Sequence, residues 1–498
     1  MATKNVELAD GKEKGQAMKV SVPDEWFLTI GGEQRETVDG QTMGSVNPAT
    51  EERIAEVPAA SAKDVDAAVD AATEARERWS GLAWASRSRT MNELANRLEH
   101  DLETFAYLDT VDGGNPLTAM RDDARSGIAA LRYFAGIAGE AKGSSFPASN
   151  GMVNFTVRES FGVVGRIVAF NHPFMYAVAK TAAALAAGNT VVLKPSDHTP
   201  LSALMLGRVA SEVLPAGVLN VVSGRSEVGS ALVEHPRVPR VAFTGSVGVA
   251  QRIMVAAAPE LKTLTFELGG KNPMIVAADV DVAAAASASI GGMNFARSQG
   301  QSCQSFSRVF VHADVYDEFI EHARARLVEL CVGDPLAENT DVGPLCFADH
   351  RSRVLGYIDA AIADGARLVA GGPHERIPDK GFFVAPTMFA DVTQDMTVAR
   401  EEIFGPVMSV LKWRDEGEVV KNANSVEYGL TASVWTNDAG LAYRLATSID
   451  AGYVWINKVG PRPYGAPFGG FKHSGFGKES NLEELLSFTR EKVIDHGF

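Results

Sequence analysis

A chain of 498 residues exceeds what one hydrophobic core usually organises, so two or three domains are expected. Its 46% hydrophobic and 22% charged residues are an ordinary globular composition, and a formal charge of −15 without any long lysine/arginine run argues against a nucleic-acid surface. Three cysteines, Cys303, Cys331 and Cys346, form neither a disulfide framework nor the spacing of a zinc or haem site, which suits a reducing compartment, the cytoplasm.

Residues 1–20 mix lysines and acids without an apolar stretch, so they read as a disordered tail rather than a secretory signal. No run of about 18 apolar residues occurs, and no membrane span is expected. Ser61-Ala62-Lys63-Asp64 has the form of a capping box, and Val65, Val69, Ala72 and Trp79 follow at helical spacing. Helix is expected to dominate as far as Gly139. From Val163 a different rhythm begins, with strands at 163–170, 190–193, 218–222, 241–244 and 263–267. The helices between them are expected at 173–187, at 201–213, from Glu227 and from Gly248. This alternation predicts a parallel sheet with helices on its faces, whose ligands bind at the carboxyl ends of the strands. Asn171, Lys194, Gly245-Ser246 and Glu267 all fall there. A second series predicts a second α/β domain: a helix after Val280, a strand at 307–311, helices at 315–330 and 350–364, and strands near Phe383, Val407 and Ser433. Strand-like pieces at 153–158 and 487–492 lie outside both series and are expected to meet a partner subunit's sheet edge.

Two segments carry chemistry. Cys303 lies in the polar, glycine-containing run Phe295-Ala296-Arg297-Ser298-Gln299-Gly300-Gln301-Ser302-Cys303-Gln304. A thiol becomes a nucleophile only as thiolate, so it needs a base nearby. Glu267 ends a predicted strand just before Leu268-Gly269-Gly270, where glycines let the backbone approach a ligand closely. A buried carboxylate there can take the thiol proton or activate water. Asn171, between a strand and a proline-started helix, is either a helix cap or a donor to an oxyanion. Cys331 and Cys346 lack such neighbours and read as structural. No Gly-x-Gly-x-x-Gly fingerprint is present, and Gly477-Lys478 is followed by Glu479 where a phosphate loop needs a hydroxyl. Phosphate contacts are therefore expected from Gly245-Ser246 at a helix N-terminus.

These two segments occur in order with Phe170-Asn171-His172-Pro173, Lys194-Pro195-Ser196-Asp197, Phe243-Thr244-Gly245-Ser246, Glu402-Ile403-Phe404-Gly405-Pro406 and Pro467-Phe468-Gly469-Gly470. From about Trp26 to the C-terminus the chain thereby resembles the NAD(P)-dependent aldehyde dehydrogenase superfamily. The resemblance implies an α/β fold with two parallel-sheet domains and a small β oligomerisation arm. Residues 21–141 and 163–269 would bind cofactor and 270–478 would form the catalytic domain. Residues 142–162 and 479–498 would build a homodimer or homotetramer. It implies Cys303 as nucleophile, Glu267 as base and Asn171, with the Cys303 N–H, as oxyanion donor. It assigns Phe170, Lys194, Ser196, Asp197, Thr244, Gly245, Ser246, Leu268, Gly269, Glu402 and Phe404 to the cofactor, and no metal. Asp197 stands where relatives that prefer NAD carry glutamate, which favours NAD over NADP. Phe170 departs from the family's usual tryptophan.

The implied reaction is oxidation of an aldehyde to its acid through a thiohemiacetal and a thioester. Transfer to coenzyme A is the alternative, which Glu267 disfavours; a non-catalytic protein on the same fold is the other. Arg297 and Arg462 point to a carboxylate-bearing semialdehyde or aromatic aldehyde as substrate. Ala179 stands near the place where relatives similar to succinate semialdehyde dehydrogenases carry a further arginine.

Overall fold

The computed structural model describes residues 3–8, 18–149, 151–373, 375 and 377–498. Its first helix, Ala62–Ser80, starts where the sequence placed it. The Ser61 N–H and hydroxyl both donate to the Asp64 carboxylate at 2.8 Å, closing the start of the helix. Val65, Val69, Ala72 and Trp79 then point inward and are fully buried. The Trp79 indole donates 3.0 Å to the Leu185 carbonyl, which fastens this helix to Pro173–Ala186. Helices Trp84–His100, Leu102–Gly113 and Leu117–Ile137 complete the helical layer.

All five strands expected between 163 and 267 form one parallel sheet. In spatial order they are Thr263–Glu267, Arg240–Thr244, Val163–Ile167, Thr190–Lys194 and Leu219–Val221. The chain lays three strands outward from Val163–Ile167, then returns to its other side, so the strand order reverses there. A crevice opens at the carboxyl ends of the strands at such a point. Thr244 lies in register with Glu267, and Ile167 with Lys194, so the residues that follow these strands share one rim. Leu28–Ile30 joins Leu219–Val221 antiparallel and Glu33–Arg35 pairs outside it as one edge of the sheet, while Gly475–Phe476 closes the other.

The second sheet runs Arg367–Ala370, Thr387–Ala390, Val407–Trp413, Arg308–His312, Pro273–Val276, Thr431–Trp435 and Tyr453–Ile456. It is parallel apart from the first strand. The strand expected near Phe383 begins instead at Thr387. Pro386 offers no N–H to a ladder, and the pairing starts with Thr387 donating 2.8 Å to the Pro406 carbonyl.

The expected disordered tail is corrected where the structure describes it. Thr3–Leu8 and Met18–Pro23 pair antiparallel, and Val20 and Val22 are buried in the main core, an apolar gain that composition alone does not reveal. The remainder of that tail lies outside the described residues. The two strand-like pieces of the expected arm pair with each other: Met152–Ser160 runs antiparallel to Thr489–Gly497 along its full length, and Ser145–Phe146 adds a third strand. Among the described residues no helix is long and apolar enough to cross a membrane.

Candidate active site

Cys303 follows a one-turn helix, Phe295–Ser298, that is bounded by left-handed residues, Asn294 at φ 59° and Gln299 at φ 53°. Gly300 continues the reversal at φ 71°, and a Cβ there would run into the Gly405 carbonyl, so only glycine fits. Polar side chains then fix the loop. The Asn272 carboxamide donates to the Cys303 carbonyl at 2.7 Å and to the Ser305 carbonyl at 2.9 Å, while its oxygen accepts from the Thr431 N–H at 3.0 Å. Asn171 donates 2.8 Å to the Gln301 carbonyl, and Asn115 in turn donates 2.8 Å to the Asn171 carbonyl. The nucleophile and the oxyanion candidate are thus braced against the same loop.

Two cavities converge here. A groove of about 1150 Å³ follows the carboxyl ends of the first sheet, and a second pocket of about 310 Å³ meets it. Thr244, Glu267 and Cys303 line both.

Glu267 is buried, and its Oε1 has no hydrogen-bond partner among the described residues. Burial pushes its carboxyl up to about 7, against the pull of Lys180, Arg462, Lys478 and Arg166. The Cys303 thiol is pushed up to about 12 by burial and by the Glu267 and Glu402 charges. The resting nucleophile is therefore a thiol that must lose its proton to a neighbour.

Gly270 is required by contact: a Cβ there would lie 2.6 Å from the Cys303 carbonyl and 2.7 Å from the Asn272 oxygen. The Gly270 N–H donates 2.9 Å to Glu402, whose carboxylate lies across Gly269 where any side chain would collide with it. Burial raises the Glu402 carboxyl to about 7, with the Gly270 N–H, Lys271 and Arg353 opposing.

All eleven residues expected at the cofactor line the larger groove. Lys194 is 6% exposed, and among the described residues its ammonium group donates only to the Pro195 carbonyl, at 2.9 Å. Burial lowers its pKa, with Asp197 and Glu227 pulling the other way. Ser196 and Asp197 border the same end. The Thr244 hydroxyl is buried without a partner among the described residues, and Ser246 precedes helix Val247–Ala257, whose first N–H groups have no intrahelical acceptors. These donors fit the ribose and phosphates of a dinucleotide. At the other end Phe404, at φ 58°, receives a 2.7 Å hydrogen bond on its carbonyl from His350. Phe170 stands edge-on to Phe404 at 5.7 Å and to Phe347 at 5.4 Å, and Phe347 stacks on His198 at 3.8 Å. Phe347 thus packs beside the small ring at position 170 and keeps that wall aromatic.

The smaller pocket receives both predicted arginines, but unequally. Arg297 reaches its wall while pairing with buried Asp123, whose other carboxylate oxygen lies 2.5 Å from His172 Nδ1. Arg462 lies flat over the Phe468 ring at 3.4 Å, forms no ion pair among the described residues, and leaves Nη1 buried without a partner. Ala179 also lines the pocket; beside it Lys180 pairs with Glu479.

Four residues escaped the sequence reading: Asn272, Asp123, Lys180 and Phe347. Only Lys180 left a trace, because it falls four residues after Tyr176 on one helix face, where its ammonium lies 5.3 Å from that ring.

The profile of the aldehyde dehydrogenase family matches residues 35–494. Human retinaldehyde dehydrogenase 3 is 42% identical over 474 residues, covering 94% of this chain and 92% of that protein. An aldehyde dehydrogenase from Bacillus cereus, solved as an NAD+ complex, superposes with a TM-score of 0.93 at 38% identity, covering 95% of this chain and 97% of the other. The indole-3-acetaldehyde dehydrogenase of P. syringae, solved with NAD+ and IAA, gives 0.92 at 37% identity, with 95% and 97% covered. With profile, sequence and fold in agreement over nearly its whole length, the chain belongs to the aldehyde dehydrogenase family and is an oxidoreductase.

Proposed function

We propose that this enzyme oxidises an aldehyde carrying a distal carboxylate to the corresponding acid, with NAD as acceptor and Cys303 as nucleophile. The observation that carries this reading is the meeting of the two cavities at Cys303 and Glu267. It lets a dinucleotide in one cavity and an aldehyde in the other reach one thiol.

In this mechanism the aldehyde oxygen takes hydrogen bonds from the Cys303 N–H and from the Asn171 amide N–H not spent on Gln301. The Cys303 sulfur attacks the carbonyl carbon while its proton passes to Glu267, giving a thiohemiacetal. When bound, NAD supplies a hydride acceptor at its nicotinamide ring. Loss of hydride from the thiohemiacetal carbon leaves a thioester on Cys303. Glu267, once it has released the thiol proton to solvent, takes a proton from water as the water attacks the thioester; the acid leaves, and the departing Cys303 thiolate takes that proton back from Glu267. A carboxyl group near 7 is suited to exchanging protons at neutral pH.

Lys194 and Asp197 would hold the adenosine ribose, Gly245-Ser246 the phosphates, and Glu402 and Phe404 the nicotinamide ribose and ring. Ser196, Leu268, Gly269 and Phe170 would complete the walls. Asp197 would repel a 2′-phosphate, favouring NAD over NADP. Arg462, the pocket cation without a carboxylate partner, would seat the substrate anion. The exposed strand Thr489–Gly497, with Val493 63% accessible and followed by Phe498 at 86%, is the surface on which a homodimer or homotetramer would form. Light scattering tests that assembly directly.

The catalytic reading is tested by following NADH absorbance with benzaldehyde and 4-carboxybenzaldehyde for the unmodified enzyme, Cys303→Ala and Arg462→Met. Loss of turnover in the first variant and loss of preference for the acid in the second are expected. Turnover retained without Cys303 would sink the mechanism.

A further inference from the structure

Three cations line the substrate pocket, and their surroundings differ. Lys180 pairs with Glu479, which also receives Arg166 at 2.9 Å. Arg297 pairs with Asp123. Arg462 has no carboxylate partner among the described residues. The Asp123 side chain is completely buried and does not itself line the pocket, whereas both of its partners do. One carboxylate oxygen accepts from Arg297 Nη2, and the other faces His172 Nδ1 at 2.5 Å. Asp123 sits on helix Leu117–Ile137, whose Ser126, Ala130 and Phe134 border the same pocket.

A buried carboxylate is stable only when matched by a cation and filled with hydrogen bonds, and Asp123 meets both conditions. The matching acts in both directions. Arg297, 40% exposed on the pocket wall, presents a guanidinium whose charge is already opposed from behind. The remaining acids on the pocket wall are Glu267, Glu479 and Glu484, of which Glu479 is already paired with Lys180 and Arg166.

We propose that Asp123 is a specificity-determining residue. By matching Arg297 it leaves Arg462 as the one pocket cation without an ion-pair partner among the described residues, so the pocket selects aldehydes with one distal carboxylate over those with two or with none. This inference rests on Arg462 being the anion seat of the proposed function. His172 contributes by occupying the second oxygen of Asp123, which holds the carboxylate facing Arg297 instead of turning away from it.

The test compares three aldehydes that share one reacting ring: benzaldehyde, 4-carboxybenzaldehyde and 5-formylisophthalate. For the unmodified enzyme kcat/KM should be highest with the monoanion. Asp123→Asn keeps the shape and removes the charge. It should raise kcat/KM for both acids relative to benzaldehyde, by about tenfold for the dianion, chiefly through KM, the scale of one charge-assisted contact. The double variant Asp123→Leu with Arg297→Met removes the pair without changing net charge and should keep the original order of the three substrates. It also supplies a result if Asp123→Asn does not fold. Equal losses for all three aldehydes in Asp123→Asn, or a reversed order in the double variant, would reduce Asp123 to a structural brace and overturn the proposal. Failure of the anion seat is read elsewhere. If Arg462→Met leaves the acid-to-benzaldehyde ratio unchanged, the seat is wrong, and the Asp123→Asn ratio shows separately whether this carboxylate sets the pocket charge.

Discussion

The Asn272 carboxamide holds the Cys303 carbonyl at 2.7 Å, and the same group accepts the Thr431 N–H at the start of a strand in the second sheet. Every polar capacity it uses fixes the nucleophile's loop to the sheet behind it. Asn272→Ala should therefore lower kcat/KM by about 10- to 100-fold, the effect of misplacing a reacting group by about an ångström. The KM for NAD should stay within about twofold. Asn272→Asp should fail as well, because a carboxylate cannot donate to two carbonyls. Alkylation of Cys303 by iodoacetamide, followed by mass spectrometry, separates a displaced thiol from an unfolded protein. An unchanged alkylation rate and unchanged turnover would refute the positioning role.

Glu267 gives a pH signature. Its carboxyl sits near 7 because burial disfavours the charge, and only the ionised form can take a proton from water. Turnover limited by thioester hydrolysis should rise with pH through about 7 and then level off. Glu267→Gln should remove that rise and slow deacylation by about 100-fold or more, within the usual contribution of a general base. A pre-steady-state burst of NADH that survives in the variant locates the defect after hydride transfer. Loss of the burst would assign Glu267 chiefly to thiol activation.

Cofactor choice should respond to Asp197. Relative kcat/KM for NAD and NADP is expected to favour NAD, and Asp197→Ser should narrow the ratio by about tenfold, the scale of one charge contact. Arg225 borders the same end of the groove and forms no ion pair among the described residues. It would then supply the cation that a 2′-phosphate needs, and Arg225→Ala added to Asp197→Ser should reverse the gain. An unmodified enzyme that prefers NADP would show that Asp197 does not face the ribose.

Asp112 should shape stability rather than rate. It is buried, bonded to the Ser45 hydroxyl at 2.5 Å and to the Leu201 N–H at 3.0 Å, and burial raises its carboxyl to about 7. The folded protein therefore holds a proton there that the unfolded chain releases near pH 4, its ordinary range. Stability from this group is full below that value and is lost as pH rises through about 7. Thermal melts of Asp112→Asn should show a smaller fall in Tm between pH 5.5 and 8 than the unmodified enzyme. A steeper fall would contradict the assigned sign.

Some of this architecture is written locally and some is not. The strand Thr263–Glu267 could be placed to the residue because β-branched positions end at a glycine pair. Glu267, Cys303 and Asn171 could be named as candidates because each sits in a short run that carries the family resemblance, and the eleven residues that line the larger groove were named on the same ground. Asp123 was not, since nothing near it in sequence announces a partner at Arg297; two elements brought together by packing make that pair. The arginines illustrate the limit well. The family resemblance placed both at the pocket, but only the fold distinguishes the one that is matched from the one that is not. The paired N-terminal strands were missed because polar composition hid the few valines that the core takes up.

The edge of the first sheet beside Glu267 is closed by Gly475–Phe476, and Ser474 adds a 2.6 Å hydrogen bond to the Gly269 carbonyl. During synthesis, the segment carrying the base leaves the ribosome long before the strand that completes its edge. Until then Thr263–Glu267 presents unpaired N–H and C=O groups to its surroundings. A nascent chain is thus exposed to strand-to-strand association at the very segment that carries its chemistry, and pairing across so long a sequence separation is intrinsically slow. Expression at lower temperature or with added chaperones should therefore raise the recovered active fraction, whereas truncation before Ser474 should yield aggregate instead of a weakened enzyme.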